Sequence, residues 1–502
     1  MAATIKRWAQ RAGAPLWIIG GAVLLRLLSG VGFANYDTLY ALAWGGQLSR
    51  GQAPAYSVPV APTPHPLLEA LGAVLSPLGA RAAENVTVAL GFLALSGCGW
   101  VIYRLGGEWF SRAAGALAAL VFLTRVPVLR DGVRAYVDLP YLLLVLGALL
   151  VESRSRSSAQ RPAAAPVLAL LALAGLLRPE AWAFSGLYWL YALEWTPAFL
   201  RGRGTRGAGA LRLQQPTRTR REIIQLTLLA AAAPLLWVLS DLAITGQPLW
   251  SLTNTRHTAS TLGRVTGIAN VPQYIPRRLG EILRPPVLVG AAMGGVLSLL
   301  WLRSRALPGA AAGALAVTVL AAFAALGLPI NTRYAFLAAA ILCVFCGAGA
   351  FGWLHLARGD RRRRWWMAGG ALVLAALAAY APAQYRTAHR EMDKLARQQS
   401  IEGDLLALVD DHSINLRCGE VGVPNHAPVP LLALYLQTSP RNIVNAATGG
   451  RLTSGVYVDP ASKEVEKDYV LDPKDPIVTV SVPPGFTETR ANRSWLIFHR
   501  CA

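Results

Sequence analysis

Charge is scarce in this chain. Only 15% of its 502 residues are Asp, Glu, Lys or Arg, against 54% hydrophobic, and apolar runs of 15 to 22 residues recur through the first three quarters. That balance leaves a soluble domain too little polar surface, and it fits a polytopic helical membrane protein. Acidic residues are scarcer than basic ones, 27 against 48, for a net charge of +21. In a soluble protein the excess would suggest nucleic acid. Here the arginines sit mostly in short loops between apolar segments and read as orientation signals, so no nucleic-acid partner is expected. Cysteine is sparse, with five residues. Cys98, Cys343 and Cys346 fall inside apolar runs and read as small core residues. Cys343 and Cys346 form a C-x-x-C with no further Cys or His nearby, which argues against a metal site. Cys418 and Cys501, in the polar tail, could pair in an oxidising compartment. No small-residue cleavage site follows the first apolar segment, which therefore reads as a retained anchor.

What is present is a series of spans. Eleven are expected, at 15–33, 85–103, 113–128, 138–151, 164–177, 181–199, 223–244, 286–302, 309–328, 334–356 and 366–384. The segment 66–79 is apolar but about 14 residues long, short of the roughly 20 needed to cross, and reads as an interfacial or re-entrant helix. With the N-terminus (Lys6, Arg7, Arg11) inside, the cytoplasmic pieces carry 22 Lys+Arg in 71 residues and the opposite loops 12 in 113. This is the bias the positive-inside rule demands. Counting 66–79 as a span would put the basic clusters at 200–222 and 361–364 outside. The expected fold is thus an all-α polytopic domain over 1–384 with a small α/β domain over 385–502. In that tail 391–400 reads as helix, 477–482 and 495–499 as strands, and 458–463 and 472–476 as turns. An odd number of spans sets the tail on the extracytoplasmic side of the plasma membrane.

The same topology gathers unusual polar residues at the outer face. They are Asp37, His65 and Glu69 in the loop 34–84; Arg125, Arg130, Asp131, Arg134 and Asp138 around 125–138; Arg178 and Glu180; Arg256 and His257 within 245–285; and Arg333. Outer arginines run against the orientation bias, and a negatively charged ligand at the membrane surface is the simplest reason for them.

Several features then occur in a telling order. An Asp in an aromatic setting follows the first span (36-YDTLY-40), and 51-GQAPAY-56 and 64-PHPLL-68 come next. Further on lie 130-RDGVRAYVDLPYLLL-144, 177-LRPEAW-182 and 332-TRYAFLAAA-340. Over roughly 15–384 the chain resembles the GT-C superfamily of polytopic glycosyltransferases, in the branch of protein O-mannosyltransferases and the lipid A aminoarabinose transferase. The resemblance implies a sugar donor on a polyprenyl phosphate, an acceptor that is a protein, lipid or polysaccharide, transfer on the extracytoplasmic face, and a first-loop acidic residue as base, which maps onto Asp37. Many relatives carry two adjacent acidic residues there. This chain has Asp37-Thr38, so a divalent metal, though compatible, is not supported, and no cofactor is required. The tail resembles no family.

The chemistry fits those residue types. A hydroxyl attacking an anomeric carbon gains from a positioned carboxylate, while a phosphate leaving group needs cations more than a general acid. Each candidate also has a plainer reading. Asp37 could cap the helix that starts near Thr38. Asp138, Asp131, His65 and Glu69 either position sugar or acceptor or serve as pairs, caps and turn residues. Arg333, Arg256, His257, Arg130 and Arg134 either bind phosphate or anchor the interface. Arg178 and Glu180 read as a simple pair. In a shared site Asp37 and Asp138 should converge with at least two of Arg130, Arg256 and Arg333 in one cavity open to the bilayer. The alternative function is a lipid-linked sugar flippase or secondary transporter, against which stand the absence of a repeat and the gathering of charge at one face.

Overall fold

The computed structural model describes residues 2–157, 164–193, 218–471 and 479–501. In chain order the helices are α1 (Ala2–Ser29), α2 (Tyr36–Ser49), α3 (Pro66–Leu75), α4 (Ala80–Trp109), α5 (Arg112–Leu123), α6 (Val126–Val133), α7 (Asp138–Ser157), α8 (Ala164–Gly175), α9 (Glu180–Ala192), α10 (Arg220–Thr245), α11 (Trp250–Thr261), α12 (Val271–Trp301), α13 (Arg303–Ala325), α14 (Phe336–Phe351), α15 (Arg361–Asp410) and α16 (Val429–Tyr435). Each of the eleven expected spans overlaps one of these helices, 113–128 also taking in the start of α6, and residues 194–199 of the span 181–199 lie outside the described residues. By length and composition, six of the described helices are long and apolar enough to cross a membrane. They become seven if α5 and α6, bent by 66° at their junction, make one span. Length explains part of the shortfall: α8 and α9 have 12 and 13 residues, about 20 Å of helix against a hydrocarbon core of about 30 Å, whereas α7 has 20 residues but carries Asp138 at its start and Glu152, Arg154 and Arg156 at its end. The segment 66–79 is a ten-residue helix opened by Pro66, followed by a 3-10 turn.

α14 is the hub. All its residues except Leu342 and Phe351 are buried. Small residues let its neighbours come close: a Cβ on Gly294 of α12 would strike the Phe345 carbonyl, and one on Gly347 would strike the Ala114 carbonyl of α5. Where lipid competes equally for apolar surface, such backbone-to-backbone packing is a main source of helix association. Cys346 is buried on the same helix, its Sγ against Gly290.

The tail is α/β. Its strands, β1 (Glu420–Val423), β2 (Ile443–Asn445), β3 (Gly455–Pro460), β4 (Thr487–Ala491) and β5 (Trp495–Arg500), form one mixed sheet in the order β2-β1-β3-β5-β4. The β1 pairings are parallel and the β5 pairings antiparallel. The segment expected as a strand at 477–482 is corrected: 479–482 is not a strand, and 477–478 lies outside the described residues, as do the turn at 472–476 and residues 200–217 of the basic loop. The strand instead forms at Thr487–Ala491, fully exposed as an edge on β5. A charged, short edge is a usual defence against stray pairing, and it erases the alternating signal that marks strands in sequence. The 384/385 boundary lies within α15, which runs unbroken from the membrane into the tail. One apolar cluster joins Leu39, Tyr40, Trp44 and Tyr56 of the first loop to Leu405, Val421, Leu432, Trp495 and Ile497, so the tail is seated on α2.

Candidate active site

Asn35 starts α2. Its side chain accepts the backbone N–H of Asp37 at 2.8 Å and of Thr38 at 3.3 Å, and its amide donates to the Arg134 carbonyl at 2.9 Å. Thr38 Oγ1 donates to the Ala135 carbonyl at 2.8 Å. Asn35 therefore does the capping, and the Asp37 carboxylate is released for other work. The turn that receives these bonds is strained, with Ala135 at φ 51° in the left-handed region. Such a conformation persists only where the surroundings fix it. Beyond that turn, Asp138 opens α7 in its first turn, where the helix dipole favours a carboxylate.

Arg333, in the 3-10 turn Thr332–Ala335 ahead of α14, bridges the two aspartates. Its Nη2 lies 2.9 Å from Asp37 Oδ2 and its Nε 3.7 Å from Asp138 Oδ2. Arg178 pairs with the other oxygen of Asp138 and with Glu180, donating from Nε to Glu180 Oε2 at 3.2 Å. The result is a line of alternating charge: Asp37, Arg333, Asp138, Arg178, Glu180. Aromatic faces hold both cations. Arg178 stacks on Tyr334 at 3.8 Å, and Arg333 lies 4.9 Å from the centre of Tyr136. The turn carrying Arg333 is pinned from α12, where Arg278 donates to Glu281 at 2.9 Å and to the Ile330 carbonyl at 3.1 Å, while Thr332 donates to Glu281 at 2.9 Å.

The two aspartates differ in access. The Asp138 side chain is 2% exposed and faces two guanidinium groups; that of Asp37 is 14% exposed, and among the described residues nothing donates to its Oδ1. Asp138 Oδ2 also accepts no hydrogen bond, but it is buried against Arg333, so Asp37 is the carboxylate whose free oxygen can be reached.

The other sequence candidates spread around this line. His65 is buried, feels the charges of Asp37, Arg178 and Arg333, and is pushed down to about 4 chiefly by burial, so its ring is neutral at pH 7. Its Nδ1 has no hydrogen-bond partner. Glu69 faces away from the line. It accepts the Tyr56 hydroxyl and the His65 backbone N–H at 3.0 Å, and burial raises it to about 7. Asp131 accepts from Arg130 Nε at 2.8 Å and adds negative charge near Arg333. Arg134 lies over Phe33 and Tyr136, at 5.6 and 5.3 Å from the ring centres. Arg256 and His257 are exposed on α11, which rests on the loop before His65 through a 2.6 Å contact between Thr255 and Thr63. At least two of Arg130, Arg256 and Arg333 are expected beside Asp37 and Asp138, and the structure corrects this to one: Arg333 contacts both, Arg130 pairs with Asp131 instead, and Arg256 makes no ion pair with either aspartate. Sequence reasoning passed over Arg178 as a member of the line and Tyr136 and Tyr334 as its platforms. The adjacency 333-RY-334 offered only a faint signal.

The fold and this cluster define an integral-membrane protein, mostly helical, with a carboxylate–guanidinium site where its first loop meets the ends of α7 and α14. Two structures of ArnT from Cupriavidus metallidurans, one bound to undecaprenyl phosphate and one apo, match 97% of this chain and 98% of theirs at 13% identity and a TM-score of 0.55. The apo oligosaccharyltransferase of Archaeoglobus fulgidus matches over 90% of this chain and 70% of its own, at 11% identity and a TM-score of 0.49. No family model and no curated protein matches the sequence. The fold is the GT-C membrane fold.

Proposed function

We propose that this chain is a membrane glycosyltransferase that moves a sugar from a polyprenyl-phosphate donor to an acceptor hydroxyl on the extracytoplasmic face, with eleven crossings and Asp37 as general base. The observation that carries the reading is the bridge from Arg333 to Asp37, which sets a carboxylate with a free oxygen beside a partly exposed cation. In the reaction the acceptor oxygen attacks the anomeric carbon and its proton passes to Asp37. The carbon–oxygen bond to phosphate breaks, and its electron pair leaves with the phosphate. Arg333, 24% exposed, meets the growing phosphate charge, while Arg178, buried under Tyr334, holds Asp138 and through it the bearing of Arg333. Arg256 and His257, exposed on α11 and paired with neither aspartate, are assigned the solvent side of the phosphate in this reading. The ArnT structure that shares the fold holds undecaprenyl phosphate, a lipid of the class inferred here for the donor.

The test is transfer from radiolabelled polyprenyl phosphosugars in proteoliposomes. Asp37→Asn should lower turnover by about 100- to 10,000-fold with donor binding retained, whereas Arg333→Gln should weaken donor binding as well. Full turnover by a folded Asp37→Asn protein would remove Asp37 as the base. Movement of lipid-linked sugar across the bilayer without transfer would replace the enzyme with a flippase.

A further inference from the structure

A cavity of about 390 Å³ lies at the far end of α2. Arg50 is thirteen residues beyond Asp37, about 20 Å along the helix, so this hollow is distinct from the carboxylate–guanidinium line. The last turn of α2, the end of α3 and the start of α4 wall it on the membrane side, and Leu434 and Gln437 of the tail close it above. Its volume lies in the range of small-ligand sites.

The lining has a definite chemistry. Arg50 is the only charged residue among it; it is exposed and makes no ion pair among the described residues. Beside it Ser49 Oγ donates to Ser76 Oγ at 3.1 Å. Apart from Gln437 the remaining wall is apolar, much of it small, as at Gly46, Ala80 and Ala83. Next to this mouth stand three outward-facing apolar side chains, Leu48 (40% exposed), Val74 (74%) and Leu78 (61%), two of them on the short apolar segment 66–79 that cannot cross the bilayer. A cation and hydroxyls over an apolar hollow, opening onto apolar residues at bilayer level, match a molecule with an anionic head and hydrocarbon tails.

We infer that this cavity binds an anionic membrane phospholipid, its phosphate on Arg50 and the two serines and its chains running out over Val74 and Leu78, stapling the tail to the first loop. The proposal depends on the membrane placement of 66–79 and not on the glycosyltransferase reading.

The experiment uses the full chain in phosphatidylcholine nanodiscs doped with a phosphatidylglycerol that carries a photoactivatable group near its head. Adducts should concentrate in 42–50, 72–83 and 433–437. Unlabelled phosphatidylglycerol should compete, and phosphatidylcholine and inorganic phosphate should not. Arg50→Gln should cut the yield at those peptides about tenfold, the effect of losing one charge-assisted hydrogen bond. Gly46→Leu should do the same with the Arg50 charge retained; the three atoms nearest a Cβ there belong to the Arg50 and Ser76 side chains, at 3.4 to 3.9 Å, so the added carbons enter the hollow beside the cation. Adducts spread evenly over the chain, or an unchanged yield in Arg50→Gln, would overturn the proposal. Competition by inorganic phosphate would replace the lipid with a free anion. Crosslinking needs no transfer, so an Asp37→Asn protein should label like the wild type whatever becomes of the catalytic reading.

Discussion

Asp138 lies between two arginines and Asp37 against one, and that difference assigns their roles. Arg178 is the residue whose loss should show most clearly. It is 6% exposed and neutralises Asp138, at 2%, and Glu180, at 11%. Removing it leaves Glu180 buried and unpaired and Asp138 with Arg333 alone, so Arg178→Ala should lower stability by about 3–5 kcal/mol, read as a drop in melting temperature in detergent. Arg178→Lys should recover only part of the loss, because an ammonium cannot fork between two carboxylates. A melting temperature unchanged in Arg178→Ala would show that Asp138 and Glu180 do not depend on it. Glu69 gives a pH signature. Burial raises it from 4.5 to about 7, so the folded state holds a proton that the unfolded chain has lost. Its contribution is complete below about 4.5 and is lost as pH rises toward 7. His65, lowered from 6.5 to about 4, acts oppositely, adding stability as pH rises over 4 to 6.5. The difference in melting temperature between wild type and Glu69→Gln, taken pH by pH, isolates the first effect. It should move in favour of Glu69→Gln between pH 4.5 and 7; a difference flat in pH would contradict the burial argument.

At the scale of elements, α15 and the sheet are the part least visible beforehand. The sequence marks a span at 366–384 and a helix at 391–400, with nothing between that stops a helix, and the structure runs them together despite Pro382. Cys418 and Cys501 are joined, closing 83 residues of chain and fastening the end of β5 beside the entry to β1. Such a link stabilises chiefly by restricting the unfolded chain, by about 2–4 kcal/mol. Cys501→Ser, or a reducing agent on the wild type, should lower the melting temperature of the tail, and reductant should have no further effect on Cys501→Ser. An equal effect of reductant on both would show that the pair does not close. Because Trp495 and Val421 share a core with Trp44 and Tyr56, loosening the tail should also loosen the helix that carries Asp37.

At the scale of the whole molecule, orientation decides whether the site can meet an extracytoplasmic donor. Gln52 lies in the first loop and Gly359 in the 357–365 loop, both exposed. In intact cells a membrane-impermeant maleimide should label Gln52→Cys and should reach Gly359→Cys only after permeabilisation. The reverse pattern would place the carboxylate–guanidinium line in the cytosol and end the proposed reaction.

Composition and apolar run length by themselves determined that the chain lives in a membrane, where its long helices lie, and that α3 is too short to span, because each follows from local hydrophobicity over a fixed rise per residue. The order of polar residues at one face marked Asp37, Asp138 and Arg333. Only the tertiary structure decided which cation meets which carboxylate. Arg178 and Arg333 are 155 positions apart, and both reach Asp138 because α7, α9 and α14 begin close together. Arg130 and Arg256, equally plausible as isolated residues, end elsewhere. Ion pairing depends on distance across the fold, which no local pattern encodes, and the same holds for the seat of the tail on α2.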